Sequence, residues 1–70
     1  MRKLFIFNRK KLCPCCKQFR LNEIGKYEIC PICKWEDDPA QRKDITYFGG
    51  ANKLSLEEAR KAYKGGQKNE

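Results

Sequence analysis

Two cysteine pairs of equal spacing, in Cys13-Pro14-Cys15-Cys16 and Cys30-Pro31-Ile32-Cys33, offer four thiolates to a single tetrahedral ion. A zinc(II) ion holds each sulfur at about 2.3 Å, so the sulfurs must lie roughly 3.7 Å apart. A two-residue turn between cysteines supplies that separation with little strain. Pro14 and Pro31 each follow the first cysteine of their pair, where a fixed φ favours the turn and a missing amide hydrogen costs least. The spacing therefore points to a metal held by Cys13, Cys16, Cys30 and Cys33. Four thiolates leave no open position for water or substrate, which argues for a structural ion and against metal-assisted hydrolysis.

The chain needs such a staple. Seventy residues make one small domain that buries too little apolar surface to offset backbone entropy comfortably. Disulfides are the alternative, but five cysteines are an odd number. The apolar run Leu4-Phe5-Ile6-Phe7 is also too short for a secretory core or for the roughly 20 residues of a membrane span. The expectation is a reducing cytoplasm with no membrane partner, where a thiolate site prevails over disulfides. Zinc binding there supplies an apparent ~10–16 kcal/mol, enough to decide folding.

The formal charge is +7, and four thiolates with one divalent cation lower it to about +5. Arg2, Lys3, Arg9, Lys10 and Lys11 crowd a basic N-terminal arm, whereas Glu36, Asp37, Asp38 and Asp44 gather after the second cysteine pair. A basic balance suits nucleic acid, a ribosomal surface or an acidic protein.

Read along the chain, residues 4–7 form a short strand in a basic arm or strand spanning 1–12. Phe19 and Leu21 alternate with polar neighbours, as do Tyr27 and Ile29 beyond the turn candidates Asn22 and Gly25, which predicts one hairpin carrying both knuckles. Trp35 offers a large apolar surface near the metal, either as its cover within the core or as an exposed partner contact. Asp38-Pro39-Ala40-Gln41 has the cap, proline and glutamine of a helical turn. The run Ile45-Thr46-Tyr47-Phe48 reads as a further strand ending at Gly49-Gly50. Ser55 with Glu58 forms a capping box for a C-terminal helix that presents Leu56, Ala59 and Tyr63 on one face and stops at Gly65-Gly66. The domain is thus expected over 1–66, with 67–70 a frayed tail.

Several separated blocks together carry a resemblance. They are Cys13-Pro14-Cys15-Cys16, Tyr27-Glu28-Ile29-Cys30-Pro31-Ile32-Cys33, Trp35-Glu36-Asp37-Asp38-Pro39, Gly49-Gly50-Ala51-Asn52, Ser55-Leu56 and Glu58-Ala59-Arg60. In this order they resemble the bacterial cysteine-rich CPCC family. The resemblance implies a small zinc-ribbon-like domain and assigns no activity. It also implies glycine directly after the first knuckle, where this chain has Lys17; Lys34 likewise follows the second. A left-handed backbone at these sites would cost a side-chain residue about 1 kcal/mol or more.

Cys15 is the odd cysteine, to be read as a packed apolar group, an alternative ligand or a reactive thiol. Redox catalysis of the glutaredoxin type needs one pair at a helix N-terminus in a longer fold, so two matched pairs favour metal. Iron competes with zinc for four thiolates, as in rubredoxin, although rubredoxin surfaces are acidic. With no histidine in the chain, the acidic residues assemble no acid/base site. The reading is a non-catalytic α+β zinc-ribbon-like module with a knuckle-bearing hairpin, short extra strands and one C-terminal helix. No small-molecule substrate is expected. Nucleic acid would meet Arg2, Lys3, Arg9, Lys10, Lys11, Lys17 and Lys34, with Phe19 and Tyr27 as stacking candidates that otherwise belong to the core. A protein partner, as for an immunity or regulatory factor, would use Glu36, Asp37, Arg60 and the C-terminal helix.

Overall fold

The computed structural model describes residues 11–69, so the basic residues Arg2, Lys3, Arg9 and Lys10 and the strand expected at 4–7 lie outside the described residues. Two helices form, α1 (Pro39–Lys43) and α2 (Leu56–Lys64). Both start where local chemistry dictates. Asp38 caps α1 by accepting from the amides of Ala40 and Gln41, and Pro39 fills the first helical position. Ser55 caps α2 through the amide of Glu58, with Glu57 and Glu58 in the first turn and Lys61 and Lys64 in the last, as the helix dipole favours. Gly66, at φ 90°, turns the chain away after α2.

The hairpin expected between residues 18–21 and 26–29 is replaced by two narrower ribbons, one around each knuckle. Leu12 bridges to Arg20 across the first, and Ile29 bridges to Glu36 across the second. The Cys13 amide donates to the Phe19 carbonyl at 2.8 Å, and the Cys30 amide to the Trp35 carbonyl at 2.9 Å. Each arm thus pairs with the partner nearest in sequence, which closes the smaller loop. Positive φ at Gly25 (67°) and Tyr27 (62°) kinks the connection, leaving Tyr27 and Ile29 about half exposed instead of on a buried face.

The strand expected at 45–48 is also absent. The Asp44 carboxylate accepts from the Thr46 amide at 3.1 Å and its hydroxyl at 2.8 Å, and the Tyr47 amide donates to the Asp44 carbonyl at 3.0 Å. This Asx turn claims the donors that a strand would use, and Tyr47 and Phe48 are left exposed.

The core joins the cysteines to Trp35, Leu56 and Ala59, with Phe19, Ile32, Leu54 and Tyr63 packed against it. Trp35 is fully buried among the cysteines, so it belongs to the core and is not an exposed partner contact. Phe19 likewise belongs to the core, while Tyr27 does not.

The loop from 47 to 54 is pinned to α1 by Gln41. Its buried amide nitrogen donates to the carbonyls of Tyr47 (3.2 Å) and Leu54 (3.0 Å), and its oxygen accepts from the backbone and side chain of Asn52 (3.1 and 2.8 Å). Gly50 lies so close that an added Cβ would stand 2.5 Å from the Asp38 carboxylate and 2.7 Å from the Gln41 side chain.

Residues 67–69 are docked, contrary to the expected frayed tail. The Gln67 amide donates to the Ala62 carbonyl at 2.9 Å, and Asn69 gives both its amide (2.8 Å) and its side-chain nitrogen (3.0 Å) to the Cys33 carbonyl. The left-handed turn at Gly66 aims the tail back at the second knuckle.

Candidate metal centre

The sulfurs of Cys13, Cys16, Cys30 and Cys33 all lie within 4.8 Å of one another, and all four residues are buried. Across the two knuckles, Cys13 Sγ is 3.5 Å from Cys33 Sγ, and Cys16 Sγ is 3.7 Å from Cys30 Sγ. Those separations match the edge of a tetrahedron with metal–sulfur bonds of about 2.3 Å. Both knuckles close the same way. The Lys17 amide returns to the Cys13 carbonyl at 2.9 Å, and the Lys34 amide to the Cys30 carbonyl at 2.8 Å. Each closure places its lysine at positive φ, 59° for Lys17 and 68° for Lys34. The left-handed backbone that glycine would favour is therefore present at both positions. The amides of Gln18 and Ile32 point at Cys16 Sγ and Cys30 Sγ, each at 3.4 Å, and stabilise negative sulfur.

The electrostatics of the cluster call for a cation. Burial pushes the Cys13 thiol up to about 12, against the amides of Cys16 and Cys15 that lower it. Burial also drives Cys33 far above the ordinary thiol range, with the neighbouring Cys13 adding to the shift. For Cys30 burial acts upward too, but the amides of Cys33 and Ile32 and the Cys16 thiol outweigh it, and the net direction is down. Four thiolates packed this closely repel one another unless a divalent ion sits among them. Donor type, spacing and charge all fit a metal ion, which would be held by these four residues as a fully coordinated structural centre.

With the knuckles and their sulfurs in place, the sequence comparison is decisive: the profile of the cysteine-rich CPCC family matches residues 11–67. The chain belongs to the cysteine-rich CPCC family. No curated protein matches it. The family match spans both knuckles, both helices and Gln67, so the four-cysteine cluster lies within the family domain and Asn69 just beyond it.

In this family member the centre is braced from α2 and from the tail. Arg60 Nε donates to the Pro14 carbonyl at 2.9 Å, fixing the first knuckle to α2. Arg60, expected as a partner contact, turns its Nε inward while the residue stays half-buried. Asn69 fixes the second knuckle, as described above, and its side chain also lies 3.7 Å from Cys15 Sγ. Cys15 is buried outside the four-sulfur cluster, and burial raises its thiol above the ordinary value.

Asp37, expected as a partner contact, lies inside the fold. It is fully buried and cannot serve as a partner contact. Its carboxylate accepts from Arg42 Nε (3.0 and 3.2 Å), from the Gly25 amide (2.7 Å) and from Trp35 Nε1 (3.4 Å). Asp38 is buried as well, capping α1 and accepting from the Ala51 amide at 2.8 Å. Glu36 is half-buried, and its backbone is locked to Asn52. Among the expected nucleic-acid contacts, Lys17 and Lys34 are exposed and Lys11 is half-buried. Gln41 and Asn69, which hold the loop and the tail, escape a sequence reading because their partners lie far along the chain. Gln41 announces itself only as a polar residue three positions after a helix cap.

Proposed function

We propose that this domain is a non-catalytic, zinc-ribbon-like binding module of the cytoplasm, folded around one structural zinc ion, whose basic surface takes nucleic acid or a nucleic-acid-associated complex. The division of charge carries this reading. Asp37 and Asp38 are spent inside the fold, whereas the lysines that follow the two knuckles, Lys17 and Lys34, face solvent. Lys17 also lines a cleft of about 610 Å³ over the first knuckle together with Arg60, Tyr63 and Lys64. Exposed cations of this kind are attracted to phosphate with strong salt dependence, and the half-exposed Tyr27 beside Lys26 offers a ring for base stacking. Docking of a basic protein partner on the acidic loop loses support once Asp37 and Asp38 are internal.

The test is retention of the zinc-loaded chain on a single-stranded DNA column. Retention is expected near 50 mM salt and release by about 200 mM, with earlier elution when Arg9, Lys10 and Lys11 are replaced by glutamine. A chain that passes straight through at low salt removes the nucleic-acid reading. The metal is checked by eye and by mass, since a zinc protein is colourless and an iron-thiolate protein absorbs in the visible.

A further inference from the structure

A second concavity lies beside the second knuckle. It is a groove of about 550 Å³ with aliphatic surface from Ile29 and Leu54, bordered by Lys34, Lys53 and Lys68, with Glu36 as the carboxylate of its lining. All three lysines are exposed, and among the described residues none of them forms an ion pair. The groove is assembled from three separate stretches of chain, and each is locked. The Asn52 side chain accepts from the Glu36 amide at 2.9 Å and donates to the Glu36 carbonyl at 2.8 Å, joining the 51–54 loop to the second knuckle. Asn69 joins the tail to the Cys33 carbonyl at 2.8 and 3.0 Å. These locks preform the cavity and occupy the polar side chains of Asn52 and Asn69. What remains for a ligand is lysine charge around aliphatic surface.

We propose that this groove is where a single nucleic-acid strand passes, one unstacked base lying against Ile29 and Leu54 while the neighbouring phosphates meet Lys34, Lys53 and Lys68. The inference rests on the nucleic-acid reading above and assigns it a place. A duplex keeps its bases paired and stacked, so it cannot present a base face to so small a concavity, whereas a single strand can. An acidic peptide would also neutralise the lysines, and the test separates it.

The experiment is fluorescence anisotropy of the full zinc-loaded chain with a labelled single strand of about 15 nucleotides, within the range of single-strand sites, over a series of salt concentrations. The variant K34N/K53Q/K68Q removes the three cations; asparagine tolerates the left-handed backbone at position 34. The control K43Q/K61Q removes two exposed lysines that do not line the groove. Each lost phosphate contact lowers the slope of log affinity against log salt by about 0.7, so the groove variant should lose about 2 from its slope while the control keeps the wild-type slope. If the triple variant does not fold with one zinc, the single variants K53Q and K68Q decide, each with a loss of about 0.7. Equal slopes in the groove and control variants overturn the proposal and leave the nucleic-acid reading standing. Displacement by poly-glutamate as effective as by unlabelled single strand, or equally tight binding of duplex, also overturns it. No binding by the wild type at low salt takes down both.

Discussion

Lys17 and Lys34 sit where an L-residue is strained. Each occupies the left-handed region directly after its knuckle, a conformation that costs a residue with a Cβ about 1–2 kcal/mol. The closing amide bonds to the Cys13 and Cys30 carbonyls fix that conformation, so the strain cannot relax without opening the turn. Replacing Lys17 by glycine should therefore stabilise the zinc-bound fold, by about 0.5–1 kcal/mol once the entropy of glycine is deducted. Guanidinium unfolding at fixed free zinc measures this, and a loss of stability would contradict the geometry. The same substitution should reduce retention on nucleic acid, separating a residue's charge from its backbone. Cys15 makes the complementary case. Buried outside the cluster, it should tolerate Cys15→Ala at a cost of about 1 kcal/mol with one zinc still bound, whereas Cys16→Ser should abolish stoichiometric zinc binding. Native mass spectrometry of the two variants reads the difference directly.

At the scale of elements, the domain is held by polar side chains that replace missing sheet. Residues 47–54 form no strand, and the Gln41 amide instead receives or supplies the hydrogen bonds of Tyr47, Asn52 and Leu54. Gln41→Leu would fill similar volume but leave those groups unpaired, at about 1–3 kcal/mol for each that water cannot reach. The expected result is a thermal midpoint lowered by well over 5 °C for a chain of this size, with faster exchange of the Asn52 amide. Retention of the wild-type midpoint would show that the loop is held by something else. The same contrast explains what the sequence made legible. Asp38-Pro39 and Ser55 with Glu58 are short-range signals whose partners lie within one turn, so α1 and α2 appear where they are expected. The metal cluster is legible because both cysteine pairs are local turns and ion geometry supplies the long-range pairing. The hairpin and the 45–48 strand fail because alternation and β-propensity do not reveal the kink at Gly25 and Tyr27 or the Asp44 turn. The inward roles of Asp37, Arg60 and Asn69 depend on partners up to 46 positions away, and composition carries no trace of them.

For the molecule as a whole, folding, metal and protons are one equilibrium. The four sulfurs occupy the centre of the core, so the metal-free chain must either keep neutral thiols there or bury mutually repelling thiolates. Burial raises Cys13 to about 12 and raises Cys33 as well, which favours both as thiols in a folded metal-free chain at neutral pH. Raised thiol values stabilise the metal-free fold below the ordinary thiol value of about 8.5, and that contribution is lost as pH climbs toward the folded values. Metal binding runs the other way, because the ion requires thiolates and protons compete with it. Zinc uptake near pH 7 should release at least the protons of Cys13 and Cys33, and apparent zinc affinity should fall by about 100-fold or more per pH unit on acidification for two displaced protons. Calorimetric zinc titration in buffers of different ionisation enthalpy counts the protons, and chelator competition at several pH values gives the slope. The helical circular dichroism signal should follow zinc occupancy through the same titration, since α2 docks Leu56 and Ala59 against the cysteine cluster and is short for a helix standing alone. Zinc uptake without proton release would mean that the thiols are already ionised in the metal-free chain, contrary to their burial. A helix signal indifferent to chelation would mean that α2 and the apolar residues around Trp35 hold the fold together unaided.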